Sequence, residues 1–175
     1  MWYVIQTESK KELRIAEICR AALVKDEEEV FVPLRELEKK FKEGRVIERS
    51  IIFNGYVFFE TNDVASLYFR LKKIKEMTNI LKTGDEFMPL YESEERLLKR
   101  LGGPVHCIEL SDAYMEGEEV KVFTGPLSSF DGTIKKINRH KSIAVIELEL
   151  LGQKRELIVG LRLLEKKPEA AITVK

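Results

Sequence analysis

Apolar residues in the first part of the chain follow two different spacings. Residues 2–7 are aromatic and β-branched, which predicts a buried strand. An apolar stripe with helical spacing follows, formed by Ile15, Ile18, Cys19 and Ala22. It predicts a helix that ends near Val24. Ser9 and Glu12 have the spacing of a capping box, in which each side chain binds the other's backbone amide. A strand followed by a helix is therefore expected at the start.

Four further strands are predicted before the next helix, two of them in a hairpin. Residues 29–32 form a short apolar run. Residues 34–50 fit two patterns: Leu34, Leu37 and Phe41 keep helical spacing, but Lys42-Glu43-Gly44 breaks it and residues 46–50 alternate as in a strand, so we favour a long charged hairpin. Residues 51–60 are the most apolar stretch and are interrupted only by Asn54 and Gly55. A central strand with a bulge or tight bend at the glycine suits this pattern.

The next segment carries two helices with a strand between them. Asn62 or Asp63 can cap the first helix, whose apolar stripe runs from Val64 to Ile74. We expect a short strand over 77–81 and then a helix over 94–101 that is capped by Ser93. The order β-α-β-hairpin-β-α-β-α predicts an α+β sandwich.

The pattern changes after Gly102-Gly103-Pro104, which ends the last helix and indicates a domain boundary. Residues 105–115 read as a connector, although they are more apolar than a flexible linker. Short alternating strands are then predicted at 118–123, 132–138, 142–150, 155–159 and 161–165. Five short strands in so few residues predict a small barrel, and the tail after Pro168 is expected to fray.

Composition argues against several functional classes. The 175 residues are 44% apolar and 34% charged, and the net charge is zero, so any nucleic-acid contact must come from a local patch. Two histidines and two cysteines supply neither a zinc site nor a nucleophile with its base. We therefore expect no enzyme activity, no cofactor and no metal. The start lacks a signal-peptide pattern and no apolar run approaches the roughly 20 residues of a membrane span, which favours a cytoplasmic protein.

Two groups of cations are candidate nucleic-acid contacts. The first lies in the predicted barrel, where no acidic residue occurs between Gly132 and Ile146, and comprises Lys135, Lys136, Arg139, His140 and Lys141. It is either a solvated hairpin tip or an RNA-phosphate contact. Since no aromatic residue lies among these cations, we expect recognition of a hairpin or backbone. The second group, Arg70, Lys72 and Lys73, either stabilises a helix C-terminus or contacts nucleic acid.

Residues 116–134 resemble the KOW motif. Val120 and Val122 would point inward from one strand, Gly125-Pro126 would turn the chain, and Phe130 would close the barrel end. KOW barrels occur both in ribosomal proteins and in transcription elongation factors, so this motif does not choose between the two.

The N-terminal segment resembles the NusG N-terminal domain. The matching pieces are Trp2-Tyr3-Val4, Phe31-Val32-Pro33 and the run Phe53-Asn54-Gly55-Tyr56-Val57-Phe58. The resemblance covers all but the tail. It implies a ferredoxin-like α/β sandwich over 1–101, a linker over 102–115, a KOW SH3-like barrel over 116–167 and a tail over 168–175.

The same resemblance implies a monomeric transcription elongation and antitermination factor that binds the clamp of the RNA polymerase largest subunit. The strand that does this in the family carries Phe53, Tyr56 and Phe58, and the resemblance adds Trp2 to the polymerase-binding residues. Core packing is the alternative for these rings. Tyr56 is the first choice as a contact, because its hydroxyl can stay hydrated at the edge of an interface. The barrel would bind nascent RNA, including a hairpin, or a ribosomal protein.

Departures from the general pattern point to a specialised member. Asn54 stands where the family has proline, and Lys75-Glu76-Met77-Thr78 replaces the usual Pro-Gly-Val. These features are similar to LoaP-type antiterminators. A different class, a KOW-type RNA-binding module of ribosome assembly, stays open, although zero net charge speaks against it because proteins embedded in ribosomal RNA are usually basic.

Overall fold

The computed structural model describes residues 1–23, 27–81 and 87–166, and it combines helices and sheets in the α+β manner that the sequence predicts. The chain forms two compact units. The first consists of Met1–Pro33, Ile51–Leu97 and Leu150–Gln153. The second consists of Leu34–Ser50, Leu98–Glu149 and Lys154–Lys175.

The elements alternate irregularly along the chain. The helices are α1 Glu12–Arg20, α2 Val64–Lys72, α3 Lys75–Ile80 and α4 Glu92–Gly102. The first six strands are β1 Trp2–Gln6, β2 Glu29–Phe31, β3 Leu34–Phe41, β4 Gly44–Ile51, β5 Tyr56–Glu60 and β6 Met88–Pro89. The others are β7 Cys107–Ile108, β8 Ser111–Glu116, β9 Glu119–Thr124, β10 Ile134–Asn138, β11 Ile143–Leu150 and β12 Gln153–Leu164.

The first unit is built on a four-stranded sheet in the order β2-β5-β1-β6. Strand β5 pairs antiparallel with both β1 and β2, so Phe58 lies opposite Val4 on one side and Phe31 on the other. One buried cluster joins the sheet to α1 and α2 and includes Ile5, Val57, Phe59, Ile15, Cys19, Leu67 and Leu71. This burial follows from the period-two pattern of β5 and the helical stripes of α1 and α2.

The starts of two helices and the strand predicted over 77–81 show where local patterns succeed or fail. Asp63 caps α2 by accepting a 3.0 Å hydrogen bond from the Ser66 amide, as expected. The capping box at Ser9 is wrong, because α1 begins after Lys11, which provides no side-chain cap. The strand predicted over 77–81 is also wrong: Met77 lies in helix α3 and is buried against the helical core. Packing of the apolar side chains decided that conformation, since a run this short fits either a strand or a helix.

The second unit contains a five-stranded sheet in the order β10-β11-β12-β8-β9. The sheet has as many strands as the sequence predicts, but the strands do not all correspond to the predicted ones. The two strands predicted over 155–159 and 161–165 form one continuous strand, β12. The fifth strand, β8, comes from the segment expected to be a linker and pairs parallel with β12.

Gly160 explains why β12 continues through a position that looks like a strand break. A Cβ atom at Gly160 would lie 2.4 Å from the backbone oxygen of Glu36. The glycine therefore permits the close approach of two backbones rather than a turn.

The charged hairpin predicted over 34–50 is confirmed. Strands β3 and β4 pair with each other and, through β3, with β7, so that Leu34 lies opposite Cys107. The hairpin belongs to the same compact unit as the five-stranded sheet. The domain boundaries inferred from the sequence stay a prediction. The fraying of residues 168–175 also stays a prediction, because these residues lie outside the described ones. The same holds for the predicted end of the first helix near Val24. In the described segments, no helix is long and apolar enough to cross a membrane.

Candidate functional site

Four aromatic rings pack together on the sheet of the first unit. The rings of Trp2 and Phe31 meet edge to face with centroids 4.7 Å apart, and Phe53 stacks on Phe58 at 5.7 Å. Trp2 also contacts Phe58, at 6.3 Å. The structure therefore brings together three of the residues that the family resemblance assigns to polymerase binding.

These three rings are buried. Trp2, Phe53 and Phe58 are 1%, 6% and 0% exposed. Such burial agrees with the alternative of core packing, and edge-to-face and offset pairs of this kind stabilise a core beyond the area that they bury. The cluster can support a docking surface, while direct contact with a partner requires an accessible neighbour.

Tyr56 is that neighbour, because it is the half-buried residue at the start of β5. Its backbone amide donates a 3.3 Å hydrogen bond to Phe53, which closes the turn before the strand. Tyr56 and Phe58 lie on the same side of β5 at a spacing of two residues. The predicted contact residue thus stands next to the buried aromatic cluster.

Glu12 and Gly55 hold this turn in place. The Gly55 amide donates a 2.6 Å hydrogen bond to Glu12 Oε1, and the Glu12 side chain is fully buried. Gly55 has a positive φ of 81°, and an added Cβ would lie 3.1 Å from the Thr7 oxygen. Only glycine meets both demands without strain. Sequence reasoning identified the glycine but assigned Glu12 to a helix cap instead.

Burial of Glu12 disfavours its charge, yet backbone hydrogen bonds, of which that from Gly55 is the strongest, bring the pKa of Glu12 below its ordinary value. The folded protein therefore stabilises the ionised form of the Glu12 carboxyl group.

The cations of α2 have different environments. Arg70 donates to Glu28 at 2.5 Å, and the two side chains are 19% and 1% exposed, so Arg70 serves an ion pair inside the unit. The Lys72 ammonium lies 4.7 Å from the centre of the Tyr68 ring, in a cation–π contact. Lys73 is exposed at the helix end. Of the three predicted contacts, Arg70 and Lys72 therefore both have partners within the protein, and the Arg70 ion pair is the buried one.

The five cations predicted for RNA binding lie on one hairpin, β10–β11, and all are exposed. Lys135 forms a 3.0 Å ion pair with Glu147, one residue beyond the acid-free segment. A hydrogen bond from Lys135 to Glu147 raises the pKa of Lys135, and their charges reinforce this. The Asn138 side chain accepts a 3.0 Å hydrogen bond from the Lys141 amide and shapes the turn that carries Arg139 and His140.

A cavity of about 470 Å³ in the second unit adds residues that sequence reasoning missed. The turn residues His140 and Lys141 line one side of it, and strand β3 lines the other with Lys39, Lys40 and Phe41. Its remaining lining is partly apolar: Arg35, Leu37, Glu38, Ile143 and Ile158. The two basic segments are about one hundred residues apart in sequence, so their proximity leaves no local signal.

A buried carboxylate joins these two segments. The Ser142 hydroxyl donates a 2.9 Å hydrogen bond to Glu38, whose side chain is 2% exposed. Arg162 and Arg45 each approach the same carboxylate at 3.5 Å. Arg162 also binds Asp112 at 2.8 Å, and hydrogen bonding to Asp112 raises the pKa of Arg162. The negative charge of Glu38 is therefore balanced by arginine side chains of the same fold.

Among the described residues, the two thiols lie outside any cluster that could hold a metal ion. Cys19 and Cys107 are both buried and unbonded to each other, and burial raises the pKa of Cys19 to about 12. Within the described ranges, no group of three or more His, Cys, Asp or Glu side chains could hold a metal ion.

Comparison with known proteins identifies the family. A family model described as transcription termination factor NusG matches residues 1–99, which is more than half of the chain. This span includes the sheet of the first unit, the aromatic cluster and the Phe53–Phe58 segment that resembles the family. The chain belongs to the NusG family.

Several curated relatives match both halves of the chain. The protein named transcription termination/antitermination protein NusG from Haemophilus influenzae is 26% identical, with 87% of this chain and 86% of the relative covered. The protein of the same name from Vibrio parahaemolyticus is 28% identical, with 87% of each covered. That from Borreliella burgdorferi is 23% identical over 94% of this chain and 97% of its own.

Proposed function

We propose that this protein is a transcription elongation factor that binds RNA polymerase and promotes processive elongation and antitermination. Membership of the NusG family over residues 1–99 carries the proposal. The names of the relatives, which refer to termination and antitermination, support it. In this proposal the chain acts as a monomer in the cytoplasm and performs no catalysis.

The polymerase contact is assigned to the surface around Tyr56. In the proposal, the clamp of the largest subunit packs against the Tyr56 ring, while Phe53, Phe58 and Trp2 support that ring from within the fold. The buried state of these three rings and the half-buried state of Tyr56 support this division of roles. Aromatic anchors of this kind often dominate an interface, at about 2 kcal/mol or more on truncation.

Such a factor needs only differential affinity. If it binds the closed, elongating polymerase better than the opened, paused one, it shifts the population toward elongation. No covalent step is required.

The finer architecture is part of the same proposal: a ferredoxin-like sandwich over 1–101, a connector over 102–115 and an SH3-like KOW barrel over 116–167. The four-stranded and five-stranded sheets support the two folds. We further propose that the barrel contacts nascent RNA through the β10–β11 hairpin, with a ribosomal protein as the other partner class for this domain. The exposure of Lys136, Arg139, His140 and Lys141 supports the RNA contact.

Binding to purified elongation complexes tests the polymerase assignment. Tyr56→Ala is expected to weaken binding at least tenfold, whereas Tyr91→Ala, which changes an exposed tyrosine outside the turn, should bind as the wild type does. Unfolding curves of both variants would show that each is folded. Unchanged binding by folded Tyr56→Ala would remove Tyr56 from the interface, and failure of the wild type to bind would remove the elongation-factor assignment.

A further inference from the structure

The cavity between β3 and the β10–β11 turn combines two features that the sequence keeps apart. Its rim is basic, with Lys39 and Lys40 on β3 and His140 and Lys141 on the turn. Its wall carries the ring of Phe41, which is 56% exposed. We call this cavity the basic groove.

Its charge is predominantly positive. Lys39 is paired with Glu48 at 2.5 Å, but Lys40 and Lys141 form no ion pair among the described residues. Glu38, the acid that the groove lining contains, is buried and bound by Ser142 and Arg162. An anionic ligand would therefore meet cations with little opposing charge.

The geometry of the two rims is fixed by the fold. Glu38 directly precedes Lys39, and Ser142 directly follows Lys141, so the 2.9 Å bond between Glu38 and Ser142 holds the two basic segments side by side. Ser142 adopts a left-handed conformation with φ of 52°, which turns the chain at this point. The groove is thus a preformed feature and does not depend on long side chains meeting by chance.

An exposed ring beside several cations is suited to unpaired nucleotides. The phosphates of a single strand can meet the lysines, while a base stacks on an aromatic ring or packs on apolar side chains such as Leu37 and Ile143. A regular duplex keeps its bases stacked on each other and offers Phe41 nothing to stack with. The ring is therefore the feature that separates the two ligands.

We propose that the basic groove binds a short single-stranded segment of RNA, with Phe41 as the stacking residue and Lys40 and Lys141 as phosphate contacts. This inference rests on the proposed RNA contact of the barrel and names the form of RNA that it takes. It extends that site to β3 and replaces the expectation, based on the lack of a neighbouring aromatic in sequence, that only a hairpin or backbone is recognised.

The test measures binding of the full chain to a fluorescent single-stranded oligouridine RNA, beside RNA duplex and oligothymidine DNA of the same length. Phe41→Leu should weaken single-strand binding about fivefold or more, since stacking is lost while the apolar surface remains. Phe41→Tyr should restore it. Phe69→Leu, at an exposed phenylalanine of the first unit, is the matched control and should have no effect.

The cations are tested in the same assay across salt concentrations. Lys40→Gln and Lys141→Gln should each weaken binding and reduce its salt dependence, whereas Lys11→Gln, at an exposed lysine of the first unit, should not. Preference for duplex RNA, equal binding of the DNA strand, or wild-type affinity in Phe41→Leu would each overturn the proposal. If Lys141→Gln weakens binding but Phe41→Leu does not, the phosphate contact of the barrel survives and only the stacking groove falls. Binding to polymerase is measured separately, so its failure is distinguishable.

Discussion

Glu12 and Gly55, 43 residues apart, are joined by a 2.6 Å hydrogen bond from the glycine amide to a fully buried carboxylate. The bond ties the start of α1 to the turn that precedes Tyr56. Helix α1 therefore helps to position Tyr56, although none of the proposed polymerase-contact residues lies in that helix.

This relationship predicts a pH-dependent stability. The pKa of Glu12 is lower in the folded protein than its ordinary value of 4.5, so the stabilisation is fully present above about pH 5 and is lost as pH falls through the folded pKa. Urea unfolding of Glu12→Gln and wild type should differ by about 1 kcal/mol or more at pH 7 and converge toward pH 3. A constant difference across that range would show that the charge is not what Gly55 binds.

The buried pair of Arg70 and Glu28 predicts a structural role for a residue that the sequence also offered as a nucleic-acid contact. Arg70→Met removes the Arg70 guanidinium from the buried Glu28 carboxylate, and should lower the free energy of unfolding by about 3 kcal/mol. Lys73→Met, at the exposed helix end, should change it by less than about 0.5 kcal/mol. Denaturant unfolding measures both. Equal stability of the two variants would contradict this role.

Gly160 predicts how tightly β12 and β3 pack. Gly160→Ala would force a Cβ to within 2.4 Å of the Glu36 oxygen, and the required backbone shift should cost about 1–3 kcal/mol. Gly102→Ala is the control, because its Cβ would meet the Cys107 amide at an ordinary 3.4 Å. Thermal unfolding should show a clear loss for the first variant and little change for the second. A stable Gly160→Ala variant would mean that the two backbones can separate freely.

The ion pair between Lys135 and Glu147 predicts a variant that gains RNA affinity. Glu147→Gln releases Lys135 from its 3.0 Å partner and removes one negative charge from the hairpin. If the hairpin contacts RNA phosphates, affinity should rise about two- to fivefold at low salt and the gain should shrink as salt is added. Glu149→Gln, an exposed acid on the same strand, tests whether any neutralised carboxylate has this effect. Weaker binding by Glu147→Gln would place Lys135 outside the contact.

The Ser142 hydroxyl predicts a positioning effect on the groove. Ser142→Ala leaves part of the buried Glu38 carboxylate without its hydrogen bond, and should destabilise the protein by about 1–3 kcal/mol. It should also weaken binding of single-stranded RNA although Ser142 touches no ligand. Ser128→Ala, at an exposed serine whose hydroxyl binds Gly125, is a suitable control for the second effect. Unaltered RNA binding in Ser142→Ala would show that the two rims stay aligned without this bond.

Strong, long periodicities were read correctly from the sequence. The stripe around Leu67 and Leu71 predicted α2 with a cap at Asn62 or Asp63, and the alternation of residues 46–50 favoured the charged hairpin. Short or ambiguous segments were read less well. Met77 lies in a helix because its side chain fills a helical core, and a strand expected to break near Gly160 continues because that glycine admits a neighbouring backbone.

The sequence by itself determined the α+β class, the family resemblance and the cations of the β10–β11 hairpin, because each is written in local spacing or in a contiguous motif. Only the tertiary structure decided which aromatic rings are buried, since Trp2, Phe53 and Phe58 become core only when β1 and β5 pair. It also decided that Glu12 binds Gly55, and that Lys40 and Phe41 line the same cavity as Lys141, about one hundred residues away in the chain. Contacts between residues so distant in sequence depend on chain pairing and packing, and no local pattern records them.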